Sequence, residues 1–152
     1  MTDEAVILEH YSAKPLGHLH EGQQSDRADF KPKGLWVSVP GDDDWPSWCR
    51  SNEFGDLTLR TRFTLVPDAN VLWLRTVDEI DTFHDEFASK SGPSYLHGFI
   101  YWRAVADRYA GVIIAPYQWS RRLHGEAHRW YYSWDCASGC IWRPRRALVR
   151  AE

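Results

Sequence analysis

Apolar and polar positions alternate through residues 57–65 (LTLRTRFTL), and this period of two predicts a half-buried strand. A compact apolar run at 5–8 (AVIL) predicts a first strand, ending at Glu9-His10-Tyr11-Ser12. Residues 35–39 (LWVSV) predict a second, stopped by Pro40-Gly41, and 71–74 a short one after the turn formers at 67–70. Thr76 has the place of a helix N-cap, with Glu79 three residues on completing a capping box. The helix then runs over 77–87 and puts Ile80, Phe83 and Phe87 on one face. Trp102, Val105, Ala106 and Tyr109 also recur at helical spacing, so 100–109 reads as an amphipathic helix ended by Gly111. A buried strand over 112–115 follows. Residues 118–129 read as a long polar loop, 130–134 (WYYSW) as an aromatic strand, 135–139 (DCASG) as a turn, and 140–142 as a last strand before Pro144. A short helix or turn around 16–19 and exposed loops at 25–33 and 89–94 complete the pattern. The expectation is an α+β chain of six or seven short strands interleaved with three helices. With no internal repeat or linker, residues 1–152 are read as a single domain.

The remaining helix comes from the junction at 33–49 (KGLWVSVPGDDDWPSWC). Asp42, Asp43 and Asp44 stand before an apolar run, where free N–H groups at a helix start favour negative charge. Pro46 suits the first turn of a helix over 45–54, because its missing N–H would have no partner there. Trp45 and Trp48 are three apart and share one face. A strand handing over to a helix with large aromatics on both can wall a flat pocket; the same tryptophans also suit a core.

Nine tryptophans in 152 residues sharpen that choice, since exposed ones need a purpose such as stacking on rings. The net charge of −3 implies no global steering toward nucleic acid, although Arg121, Arg122, Arg129, Arg143, Arg145, Arg146 and Arg150 crowd the last third. Three cysteines without an apolar leader point to a reducing cytoplasm, and no apolar run approaches membrane-spanning length. His10, His18 and His20 invite a metal reading, but no carboxylate or thiol sits nearby at zinc-like spacing, and Cys136 and Cys140 lack a second thiol pair. Gly-rich phosphate loops, GxSxG and HExxH are absent from the sequence.

The order of elements resembles the ADP-ribosyltransferase fold of the poly(ADP-ribose) polymerase and diphtheria-toxin type. His10-Tyr11-Ser12 is similar to the strand-end motif whose His contacts the adenosine ribose of NAD. Gly34-Leu35-Trp36-Val37-Ser38 resembles the strand whose aromatic packs on nicotinamide, with Trp for the usual Tyr. Ser47-Trp48-Cys49 is similar to the helix that covers the other side of the ring. Asn70-Val71-Leu72 and Tyr109-Ala110-Gly111-Val112-Ile113-Ile114 look like the middle of such transferases. The resemblance implies a split sheet and NAD as substrate. It also implies a cofactor site of His10, Tyr11, Ser12, Trp36, Ser38, Ser47 and Trp48, and no metal. The family's late-strand Glu is missing: the only carboxylate in 130–142 is Asp135, with Glu126 earlier in the loop. Asp135 is then the expected catalytic acid beside His10, or polar groups such as Gln118 and Ser138 take its part.

The implied function is a small cytoplasmic mono-ADP-ribosyltransferase, a monomer that modifies an intracellular protein or nucleic acid. Aromatic faces attract the flat nicotinamide cation, and a carboxylate stabilises the positive charge that builds on ribose as the glycosidic bond breaks. Two alternatives stand beside it. One is a non-catalytic nucleotide- or nucleic-acid-binding module using an aromatic pocket and the C-terminal arginines. The other is an interaction domain presenting tryptophans as anchors.

Overall fold

The computed structural model describes residues 5–122 and 125–151, with the side chains of 125–127 left out. Seven strands form one mixed sheet: β1 (Ile7–Ser12), β2 (Leu35–Ser38), β3 (Leu59–Leu65), β4 (Val71–Leu74), β5 (Gly111–Ile114), β6 (Ser138–Ile141) and β7 (Leu148–Arg150). Their order is β4-β5-β6-β2-β1-β3-β7, with β4 and β5 parallel and every other pair antiparallel. The strands stay in one hydrogen-bonded order where a split sheet is expected, but the seam between β1 and β2 is thin. Only Glu9 and Ser38 register across it, against six pairs between β1 and β3.

Two helices follow the sequence pattern closely. Helix α1 (Trp45–Asn52) starts where Asp44 accepts from the Ser47 N–H at 3.0 Å, with Pro46 in the first turn. Helix α2 (Val77–Phe87) carries the expected N-cap: Thr76 Oγ1 accepts from the Glu79 N–H, Glu79 Oε1 accepts from the Arg75 N–H in place of that of Thr76, and Ile80, Phe83 and Phe87 are buried. The third is much shorter than 100–109. Ile100 is extended and bridges to Asp29 and Ala88, leaving only α3 (Trp102–Ala106) helical. Two further short helices were not expected, α4 (Trp119–Arg122) and α5 (Pro144–Ala147).

Residues 130–134 are not a strand. They lie past a kink at His128 that divides Gly125–Ser133 into two short 3₁₀ stretches, and turn bonds such as Trp134 N–H to Tyr131 O bring Trp130, Tyr131 and Trp134 into the core. Burial of large rings overrides their strand preference. The loop reading of 118–129 likewise gives way to α4 and this segment, while residues 123 and 124 lie outside the described residues. The arginine-rich end is no free tail: β7 pairs with β3 at the sheet edge.

Strand alternation divides the core in two. One face packs Leu74, Val112, Ile114 and Cys140 against α2, α3 and the buried rings of Trp102, Trp130, Trp134 and Trp142. Leu8, Val37, Phe63, Ile113 and Ile141 pack on the other. The packing leaves no room for a side chain at Gly34, where a Cβ would lie 2.7 Å from Ile141 O. Cys49, Cys136 and Cys140 are free and buried; burial pushes all three thiols up, Cys136 to about 12. Among the described residues no helix is long and apolar enough to cross a membrane.

Candidate active site

On the tryptophan-bearing face, the part of the sheet over β1 and β2 is left open as a pocket of about 280 Å³. Glu9 and Tyr11 from β1 and Trp36 and Ser38 from β2 present their side chains to it by strand alternation, and His10 and Val37 also line it. Trp45 and Lys31 wall one part of it, and Ser133, Asp135, Cys136 and Ser138 another.

Each wall is fastened to the sheet by named bonds. Ser38 Oγ accepts from the Trp45 N–H at 3.0 Å, joining the end of β2 to the start of α1. Asp44 Oδ2 also accepts from Gly41 N–H at 3.2 Å, which closes the acidic turn on itself. Asp43 reaches across instead. Its Oδ2 accepts from Tyr117 N–H at 2.9 Å and its carbonyl from Ala137 N–H at 2.8 Å, so the turn also holds the segment that carries Asp135. Asp42 is exposed.

Trp36 lies opposite Cys140 across β2 and β6, with its ring edge-on to Trp134 at 4.7 Å and the Lys31 ammonium 5.9 Å from its centroid. His10 Nδ1 is 2.7 Å from Trp36 O, beside the single registered pair of the β1–β2 seam. That bond joins the strands where the ladder stops.

Among the described residues two carboxylates reach this pocket, and each has arginine beside it. Asp135 Oδ1 accepts from Arg122 Nη1 at 2.7 Å. The same nitrogen donates to Trp134 O at 2.9 Å and to Tyr117 Oη at 3.1 Å, and the guanidinium lies 4.6 Å from the Tyr132 ring centroid. Burial lowers the affinity of Arg122 for its proton, but its bonds to Tyr117 and Asp135 raise it further, so it stays a cation. Burial pushes the Tyr117 phenol up to about 12, with Arg122 opposing, and its hydroxyl donates to Trp134 O.

Glu9 is the second carboxylate, with a side chain 7% exposed. Its Oε1 accepts from Tyr11 Oη at 3.3 Å, and Oε2 lies 3.3 Å from Arg60 Nε and 3.4 Å from Arg62 Nε. Burial first, then the charge of Glu9, raises the Tyr11 phenol.

Of the expected site residues, His10, Tyr11, Trp36, Ser38 and Asp135 line one pocket. Ser12, Ser47 and Trp48 do not. Ser12 turns its hydroxyl to Lys14 O at 2.7 Å, and Ser47 is engaged through its N–H in capping α1. Trp48 stacks on Trp45 at 5.1 Å, so Trp45 lines the pocket where Trp48 is expected. Gln118 donates to Arg75 O and Pro116 O and is not among the lining residues, whereas Ser138 is. The Glu126 side chain lies outside the described residues. Glu9, Lys31, Val37, Ser133 and Cys136 are additions. Glu9 has a signal in the sequence: Arg60 and Arg62 alternate on a strand, which suits a carboxylate on the same face of its neighbour.

The C-terminal arginines are dispersed. Arg121 forms two 2.8 Å bonds to Asp81, Arg122 holds Asp135, and Arg129 lies 4.4 Å from the Phe99 ring centroid. Arg143 donates to Ala106 O and Arg150 to Leu16 O. Comparison with known proteins finds no match to a family model, to a curated protein or to a solved structure.

Proposed function

We propose that the protein is an NAD-dependent ADP-ribosyltransferase, which breaks the bond between nicotinamide and ribose and passes ADP-ribose to a protein or nucleic-acid acceptor. One observation carries the reading: β1, β2 and the segment before β6 meet at a single pocket lined by His10, Trp36 and Asp135.

Each group has a task suited to its chemistry. The Trp36 ring offers a face to the nicotinamide cation, a contact worth about 0.5–2 kcal/mol. The His10 ring donates through Nδ1 to a carbonyl, so neutral His10 keeps a lone pair on Nε2 for a ribose hydroxyl. As the glycosidic bond breaks, its electron pair leaves with nicotinamide and positive charge grows on the ribose. Asp135 Oδ2 makes no hydrogen bond among the described residues and is the oxygen that meets that charge. The acceptor then attacks the anomeric carbon and loses a proton.

Incubation of the full chain with NAD tests this through free nicotinamide. Release is expected, with Asp135→Asn lowering it by about a hundredfold or more and His10→Ala also lowering it, both variants melting as the parent does. No release by the parent chain, or undiminished release in both variants, overturns the proposal.

One observation favours a second reading, nucleotide binding without turnover: Arg122 lies 2.7 Å from Asp135 and offsets the charge that catalysis needs. Quenching of tryptophan fluorescence by NAD with no nicotinamide release selects that reading. The dispersed arginines give no comparable support to a nucleic-acid surface.

A further inference from the structure

The pocket continues onto β3 as a row of charges. Ser38, Glu9 and Arg62 lie side by side across β2, β1 and β3, and Arg60 stands opposite Tyr11 on the same face. Two cations at alternate positions of one strand repel each other. Glu9, one carboxylate, neutralises only one of them, so the cluster keeps a surplus positive charge. Its Oε2 atom meets both arginines through Nε without hydrogen-bond geometry to either.

This arrangement leaves the outer ends of both guanidinium groups unspent. Neither makes a further side-chain hydrogen bond among the described residues, and both side chains are about half exposed, at 51% and 47%. A guanidinium whose Nε faces the carboxylate still presents a fork of two terminal nitrogens, the geometry that matches phosphate oxygens. The buried carboxylate therefore holds two forks side by side, beside a pocket that suits a flat base and a ribose.

We infer that Arg60 and Arg62 form an anion subsite for a diphosphate, the linker of a dinucleotide whose base end lies over Trp36; the identity of that dinucleotide rests on the NAD reading above. Two adjacent forks match two adjacent phosphoryl groups, whereas a single phosphate would leave one fork idle. Glu9 links the two sites, since it lines the pocket and faces both guanidinium groups.

Inorganic pyrophosphate, free of metal and at fixed low salt, is the probe, with tryptophan fluorescence as the readout. The parent chain is expected to bind it, with affinity falling as salt rises. Arg60→Gln and Arg62→Gln are each expected to weaken binding by roughly ten- to a hundredfold while melting as the parent does. If either substitution lowers the melting temperature, Arg60→Lys and Arg62→Lys carry the test: a point charge without a fork is expected to bind several-fold more weakly. Failure of the parent chain to bind pyrophosphate, or equal binding by parent and variants, overturns the subsite.

The same samples separate this inference from the transferase reading. Nicotinamide release by the parent with an unchanged KM for NAD in Arg60→Gln and Arg62→Gln sinks the subsite and leaves the transferase standing. Pyrophosphate binding that the variants lose, without any nicotinamide release by the parent, establishes the subsite and sinks the transferase.

Discussion

His84 shows how far a single side chain can be set by its neighbours. Its Nδ1 accepts from Trp130 Nε1–H at 3.1 Å, which requires an unprotonated nitrogen there, and its ring stacks on His128 at 4.1 Å. Burial, and then the charge on His128, pull it from 6.5 down to about 4. The unfolded chain therefore takes up this proton before the folded one does. Stability contributed by neutral His84 is complete above about pH 6.5 and is lost as pH falls toward 4. Because the ring is partly exposed, the loss is expected to be on the order of 1–2 kcal/mol rather than the full value of the shift. Denaturant titrations at several pH values check this, and His84→Gln should flatten the profile. At this scale the sequence exposes some residues and hides others. Trp36 and Asp135 stand out by type and position, but Glu9 sits among the polar residues that end the first strand. It becomes visible only when β1 runs on to Ser12 and faces Arg62.

Elements were legible where the signal is local. The helix over 77–87 has its cap, its acidic first turn and its apolar face in one contiguous stretch, and it forms with those bounds. Asp44 is a similar local signal at α1, and Asp44→Ala is expected to cost about 1 kcal/mol in a denaturant titration. The same change should weaken NAD binding, because the cap holds the turn from which Trp45 enters the pocket. Signals that depend on distant partners misled. Residues 130–134 have strand composition, but their rings fill the space beside Trp102, and the backbone turns to deliver them. Ile100 opens the stretch whose spacing predicts a helix and bridges instead to Asp29, far away in the chain. Gly34 precedes β2 in the chain, and its constraint is likewise distant, the Ile141 carbonyl behind it. Gly34→Ala should therefore cost about 1–3 kcal/mol, read as a lower denaturation midpoint with an unchanged slope.

The whole molecule joins an aromatic core to an open floor on one sheet. Trp102 touches Phe83, Trp130, Trp134 and Trp142, and the ring of Trp134 meets Trp36 at the pocket. Trp102→Ala is expected to cost about 3–5 kcal/mol, a large share of the roughly 5–15 kcal/mol that holds a domain together. The α+β class was legible because short strands and capped helices alternate in the sequence. The edge strand β7 was not, since its pairing depends on β3, distant in the chain.

The three buried thiols turn the fold into its own clock. A thiolate is the form that attacks a chromogenic disulfide, and burial keeps Cys49, Cys136 and Cys140 from ionising near neutral pH. Colour development in native buffer should therefore be slow and follow the opening of the chain, while denaturant should release all three groups at once. A fast single equivalent in native buffer would mean that the reagent reaches Cys136 through the pocket, and its suppression by NAD would then time the occupancy of that pocket directly.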